Sequence, residues 1–267
     1  MSEEGVEYVV GIDEAGRGPV IGPMVYGIGW CRSDITERGE LKKAGFVDSK
    51  TLTAAKRTVL RDRMDKFDNL HYKTRVLSAK ELSRRMMAVT RDSLNAISHQ
   101  AAVELMHHVV QWCNERKARI KAVYVDQVGP VGQYKGLLER EFPGITFVVE
   151  AKADFKYNIV GAASIAAKVH RDHLIEAPVL SEQERGWGGT TSWGSGYPAD
   201  PLCKAWLADH CDPVFGYPEC VRFSWKTVDT ALEANEAAEV QYAPQRERVG
   251  NDRGYLSTCG LSHSSGI

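Results

Sequence analysis

The sequence predicts an α/β fold in which strands deliver acidic side chains to one end of a sheet. Three observations carry this expectation. Residues 8–12 (YVVGI), 120–125 (IKAVYV) and 145–150 (ITFVVE) are short apolar runs of strand length, rich in β-branched residues. Each stops on or just before an acid: Asp13–Glu14, Asp126 and Glu150. Between them lie segments with apolar residues at helical spacing, so the first 175 residues read ββ…αβααβαβα.

Residues 8–12 form the first strand. After the turn Gly16-Arg17-Gly18-Pro19, residues 20–30 form a second, interrupted by Gly22 and Pro23, so a hairpin opens the chain. Thr53 caps a helix to about residue 67, with Val59, Leu60, Met64 and Phe67 at helical spacing. Residues 71–77 alternate as a strand, and Ser78 caps a short helix. Residues 92–117 make a long helix whose apolar stripe is Leu94, Ile97, Ala101, Leu105, Val109 and Trp112. Residues 133–142 and the alanine-rich stretch 158–175 are also helical. From Pro178 the texture changes. Residues 186–201 hold too much Gly, Ser, Thr, Trp and Pro for a regular element, and short helices are expected at 201–210 and 224–238. After Gln241 the chain is polar with little to bury, as in a disordered or partner-dependent tail. The expected organisation is an α/β domain over residues 1–177, a loop-and-helix region over 178–240 and a tail over 241–267.

Apolar residues at 43% and charged residues at 26% suit a soluble globular chain. No run of about 18 apolar residues occurs, which argues against a membrane-spanning helix. The acidic N-terminus lacks a secretory pattern, so an intracellular protein is expected. The net charge of −1, from 34 basic and 35 acidic residues, decides nothing about nucleic-acid binding, because metal-binding carboxylates offset a local basic patch. Cys203, Cys211 and Cys220, with His210 alongside, fit no zinc spacing, and reduced thiols are the expected state of all six cysteines.

Asp13, Glu14 and Asp126 end predicted strands, and Asp154 follows one closely. Strand ends of an α/β sheet commonly bind ligands, and converging carboxylates suit Mg²⁺ or Mn²⁺. The alternative is that such acids form turns or cap helices. Neighbours on a regular strand also face opposite ways, so Asp13 and Glu14 share a site only if the strand ends or distorts, which Ala15-Gly16 permits. Gly16-Arg17-Gly18 lets backbone approach a ligand closely and could read a ribose 2′-hydroxyl; a tight hairpin turn explains it equally well.

GIDEAGRGP at residues 11–19 resembles the signature of type 2 ribonucleases H. The same family's order continues in Asp48-Ser49-Lys50-Thr51-Leu52, Tyr124-Val125-Asp126, Lys152-Ala153-Asp154, residues 162–169 (AASIAAKV) and Gly194-Ser195-Gly196-Tyr197-Pro198. The similarity spans residues 9–227, and residues 195–201 and 221–227 are closest to the eukaryotic form. The resemblance implies a ribonuclease H-like fold: a central mixed β-sheet flanked by helices, plus a small helical C-terminal region. It implies an endoribonuclease that hydrolyses the RNA strand of RNA–DNA hybrids and cuts 5′ of single ribonucleotides in duplex DNA, leaving 5′-phosphate and 3′-hydroxyl ends. Asp13, Glu14, Asp126 and Asp154 would be its catalytic acids, holding two Mg²⁺ or Mn²⁺ ions. Gly16, Arg17 and Gly18 would sense the 2′-hydroxyl, Tyr197 would stack on the next sugar, and Lys50 would contact a phosphate. Asn95, Arg222, Lys226 and Thr227 are further candidates for duplex contacts. A heterotrimer with two non-catalytic subunits and a nuclear location, for removal of ribonucleotides and RNA primers, are also implied. Alternatives are another nuclease of the same fold, resolvase- or integrase-like, and a non-catalytic nucleic-acid-binding protein.

Overall fold

The computed structural model describes residues 4–46, 52–176 and 192–237. Five strands, β1 (Glu7–Ala15), β2 (Met24–Arg32), β3 (Leu70–Leu77), β4 (Arg119–Asp126) and β5 (Phe147–Glu150), make one mixed sheet in the order β3-β2-β1-β4-β5. β1, β2 and β3 run antiparallel, whereas β4 lies parallel to β1 and β5 parallel to β4. The opening hairpin is present, but β2 begins at Met24 rather than at residue 20. Gly22 takes a φ of +87°, and Pro23 has no N–H for the ladder, so the strand cannot start before them. Val20 and Ile21 turn instead toward the C-terminal segment, where Ile21 bridges Val221.

The helices are α1 (Ser33–Glu37), α2 (Glu40–Lys43), α3 (Ala54–Met64), α4 (Ala79–Met86), α5 (Leu94–Arg116), α6 (Val131–Glu141), α7 (Ala153–Lys156), α8 (Asn158–Glu176), α9 (Pro201–Asp209) and α10 (Lys226–Ala234). Thr53, Ser78 and Ser93 cap α3, α4 and α5, each side chain accepting the N–H three residues on. The Ser93 cap explains why α5 starts at Leu94 and not at Asp92. The short helices α1, α2 and α7 were not expected. α1 and α2 bury one apolar side chain each, Ile35 and Leu41, too few to produce a periodic pattern.

Helices cover both faces of the sheet. On one, Tyr8, Val10 and Ile12 of β1 and Tyr26 and Ile28 of β2 bury against Ile97, Ala101, Leu105 and Val109 of α5 and Tyr134 and Leu138 of α6. On the other, Val9 and Cys31 pack with Ile159, Val160, Ala162, Ile165 and Ala166 of α8. Glycines on the strands let α8 lie close. A Cβ at Gly11 would sit 2.5 Å from the Ile159 carbonyl carbon, and one at Gly27 would overlap the Ala163 carbonyl oxygen. A third cluster forms where Trp193, Trp206, Leu207, Tyr217, Val221 and Val228 enclose Val20 and Ile21. The C-terminal segment is thereby fastened to the loop that follows β1.

Candidate active site

β1 stays regular through its acids: Asp13, Glu14 and Ala15 pair with Gly27, Tyr26 and Val25 of β2. Alternation therefore holds, and a distortion at Ala15-Gly16 is not what unites the two carboxylates. Asp13 lies on the α8 face, hydrogen-bonded to Ser164 and near Lys168. Glu14 lies on the opposite face, where it influences the buried phenols of Tyr26 and Tyr134. They meet because the pairing of β1 with β4 stops at Ile12–Val125. Past that point no strand separates the two faces. One carboxylate oxygen each from Asp13, Glu14 and Asp126 then falls within 4.8 Å of the others.

Backbone and helix dipoles hold these acids. The Glu14 N–H donates to Asp13 Oδ1 at 2.7 Å, and the Ala153 N–H donates to Asp126 Oδ1 at 2.8 Å. Lys168 Nζ donates to Ser164 Oγ at 3.0 Å behind Asp13. Asp154 is buried in α7 and accepts the Phe155 N–H at 3.1 Å. It stands outside the group of three but close enough to act on Asp13.

Burial, and then the charge of Asp126, push the Asp13 carboxyl up to about 7, against the opposing pull of Ser164 and Lys168. Burial, and then Asp13 and Asp126, hold Glu14 well above the ordinary carboxylate range. Glu14 Oε2 is also buried and has no hydrogen-bond partner among the described residues. An oxygen-only donor set with an orphaned oxygen and excess negative charge fits a hard divalent cation. The acidic group can hold a metal.

Beside the acids, the glycine turn is gripped from behind. The fully buried Arg222 donates to the carbonyls of Gly16 (2.6 Å), Arg17 (3.0 Å) and Gly22 (2.8 Å). Trp225 Nε1 donates to the Gly18 carbonyl at 3.2 Å. The Arg17 guanidinium donates to Ser98 Oγ at 2.6 Å and to Asn95 Oδ1. Tyr197, 45% exposed, lies over Gly18, where a Cβ would sit 3.0 Å from its ring. Its loop is tied down by the Val20 N–H donating to the Gly196 carbonyl at 2.8 Å.

A cleft of about 440 Å³ joins Asp13, Glu14 and Asp126 to Gly16, Arg17, Gly18 and Tyr197. The remaining candidates lie elsewhere. Asn95 faces Arg17, and Arg222 lies beneath the turn. Lys226 and Thr227 line a separate, mostly apolar groove with Leu207 and Ala231, and Lys50 lies outside the described residues. Sequence reasoning gave no role to Ser164, Lys168, Arg171, Asp172 or Arg57, although the last four line the cleft. Their signal was available: Ser164, Lys168 and Asp172 recur at a spacing of four on an alanine-rich helix.

A mixed sheet with hard oxygen ligands gathered where its central parallel pair ends is the framework of a ribonuclease H-like hydrolase. The family model for ribonuclease HII matches residues 10–228. The ribonuclease H2 catalytic-family relative from Dictyostelium discoideum, the A subunit of that enzyme, is 45% identical over 230 residues, 84% of this chain and 78% of that protein. The Homo sapiens protein of the same name is 42% identical over 232 residues, 87% of this chain and 75% of that one. The crystal structure of the ribonuclease H2 from Pyrococcus horikoshii OT3 matches with a TM-score of 0.67 and 33% identity, covering 85% of this chain and 98% of that chain. The chain belongs to the ribonuclease HII family and is a type 2 ribonuclease H, a phosphodiester hydrolase.

Proposed function

We propose that this endoribonuclease cuts the RNA strand of RNA–DNA hybrids, and cuts 5′ of a single ribonucleotide embedded in duplex DNA. The observation that carries the reading is the shared cleft, in which three carboxylates within 4.8 Å of one another open beside the glycine turn and Tyr197. Asp13, Glu14 and Asp126, with Asp154 alongside, hold two Mg²⁺ or Mn²⁺ ions. When bound, such ions supply an activated water and stabilise the departing 3′ oxygen, giving 5′-phosphate and 3′-hydroxyl products. Ser164 and Lys168 keep Asp13 oriented and ionised. Gly16, Arg17 and Gly18 read the 2′-hydroxyl, and Tyr197 stacks on the sugar of the next nucleotide, favouring deoxyribose there. Lys50 contacts a phosphate.

The relatives are each named as one subunit of ribonuclease H2, which supports work within an assembly, a heterotrimer with two non-catalytic subunits. Residues 178–240 complete the substrate site. The chain acts in the nucleus, where it removes ribonucleotides and RNA primers from DNA. The test is Mg²⁺-dependent cutting of two otherwise identical duplexes, one all-DNA and one with a single ribonucleotide. Cutting confined to the 5′ side of the ribonucleotide is expected. Equal cutting of both duplexes would contradict the reading.

A further inference from the structure

The glycine turn cannot set its own geometry. Gly16 has a φ of +77°, and glycines move freely between such conformations and others, so something must select one. The selection is made from the far end of the chain. Two of the three nitrogens of one guanidinium take the consecutive carbonyls of Gly16 and Arg17, and the third takes that of Gly22. Trp225 takes the Gly18 carbonyl. A trans peptide is planar, with its N–H opposite its C=O. Drawing the Gly16 and Arg17 carbonyls toward Arg222 therefore turns the N–H groups of Arg17 and Gly18 the other way. That is the side of the turn that lines the cleft, to which Arg222 does not contribute.

The arrangement is costly to the fold. Arg222 is 0% exposed, and its guanidinium is held by carbonyls and stacked over Trp225 at 4.8 Å. Arg171 is buried nearby, and its side chain packs against Gly16 while Nε donates to the Pro23 carbonyl at 3.2 Å. Two cations side by side under one turn are a poor way to fill a core. They suit a device that must fix several carbonyls at once, which a planar five-donor group does and a lysine cannot.

We propose that Arg222 is a positioning residue for sugar discrimination: with Trp225 as its partner, it aims the Arg17 and Gly18 N–H groups at the 2′-oxygen without itself touching substrate. This rests on the reading of the turn as the 2′-hydroxyl sensor. The sensor offers hydrogen-bond donors, so the 2′-oxygen is recognised as an acceptor.

The test compares single-turnover cleavage of a duplex with one ribonucleotide against the matching all-DNA duplex, for the full chain, Arg222→Lys and Trp225→Phe. The quantity read is the ratio of the two rates. Loss of folded enzyme lowers both rates together and leaves the ratio unchanged. Arg222→Lys is expected to lower the ratio about tenfold, the size of one lost hydrogen bond. Trp225→Phe keeps the ring under Arg222, loses one bond to Gly18, and is expected to lower the ratio about threefold. A wild-type ratio in Arg222→Lys would overturn the proposal. If that variant does not fold, a wild-type ratio in Trp225→Phe overturns it instead. A wild-type enzyme that does not discriminate would defeat the sensor reading itself, a result distinct from either.

Discussion

Asp13 and Glu14 are adjacent on a regular strand, and their carboxylates reach one point from opposite faces of the sheet. Their importance was legible because apolar runs stopped at them. Their geometry was not, because it depends on where β4 stops pairing, a fact held in another part of the chain. Ser164 and Lys168 were overlooked for a related reason: polar residues on a helix read as a solvated face until the neighbouring strand is known. Arg222 had the opposite fate. A sequence shows an arginine as a charge for phosphates, whereas its partners are carbonyls of Gly16, Arg17 and Gly22 at the other end of the chain. At this scale Ser164→Ala should raise the Mg²⁺ concentration for half-maximal activity about tenfold, as loss of a supporting partner to a metal ligand does. A metal titration of the cleavage rate checks this, and an unshifted midpoint would show that Asp13 does not depend on Ser164.

α8 is the element on which the site turns. Its alanine-rich face lies against Gly11 and Gly27, and that close approach carries Ser164 and Lys168 up to Asp13. Gly27→Ala puts a methyl group into the Ala163 carbonyl and should destabilise the fold by about 1–3 kcal/mol, the usual cost of overpacking. Urea unfolding measures it. A neutral result would mean that α8 has room to move and that the glycine is not needed for the approach. The main strands and long helices were legible from periodicity and caps. α1, α2 and α7 were not, because helices of four or five residues carry no period.

For the whole molecule, the acidic centre opposes folding until it is neutralised. The Asp13 carboxyl is raised in the folded state from 3.8 to about 7, so the folded chain holds that proton where the unfolded chain has lost it. The contribution to stability is therefore full below about 3.8 and is lost as pH rises through about 7. Glu14 acts in the same direction. Metal-free Asp13→Asn should melt above the wild type at pH 7, with the gap closing toward pH 4, and saturating Mg²⁺ should raise the wild-type melting temperature at pH 7. Thermal melts across that range check the sign. A gap that widened on acidification would contradict it.

On the proposed reading, the cluster around Asp13 performs the hydrolysis. The most direct measurement follows binding and cutting of a duplex with one embedded ribonucleotide, side by side, for the wild type and Asp13→Asn in Mg²⁺. The variant should bind the duplex as the wild type does, while cutting falls by more than about 100-fold, beyond the loss expected of a merely supporting residue. Unaltered turnover in Asp13→Asn would contradict that role.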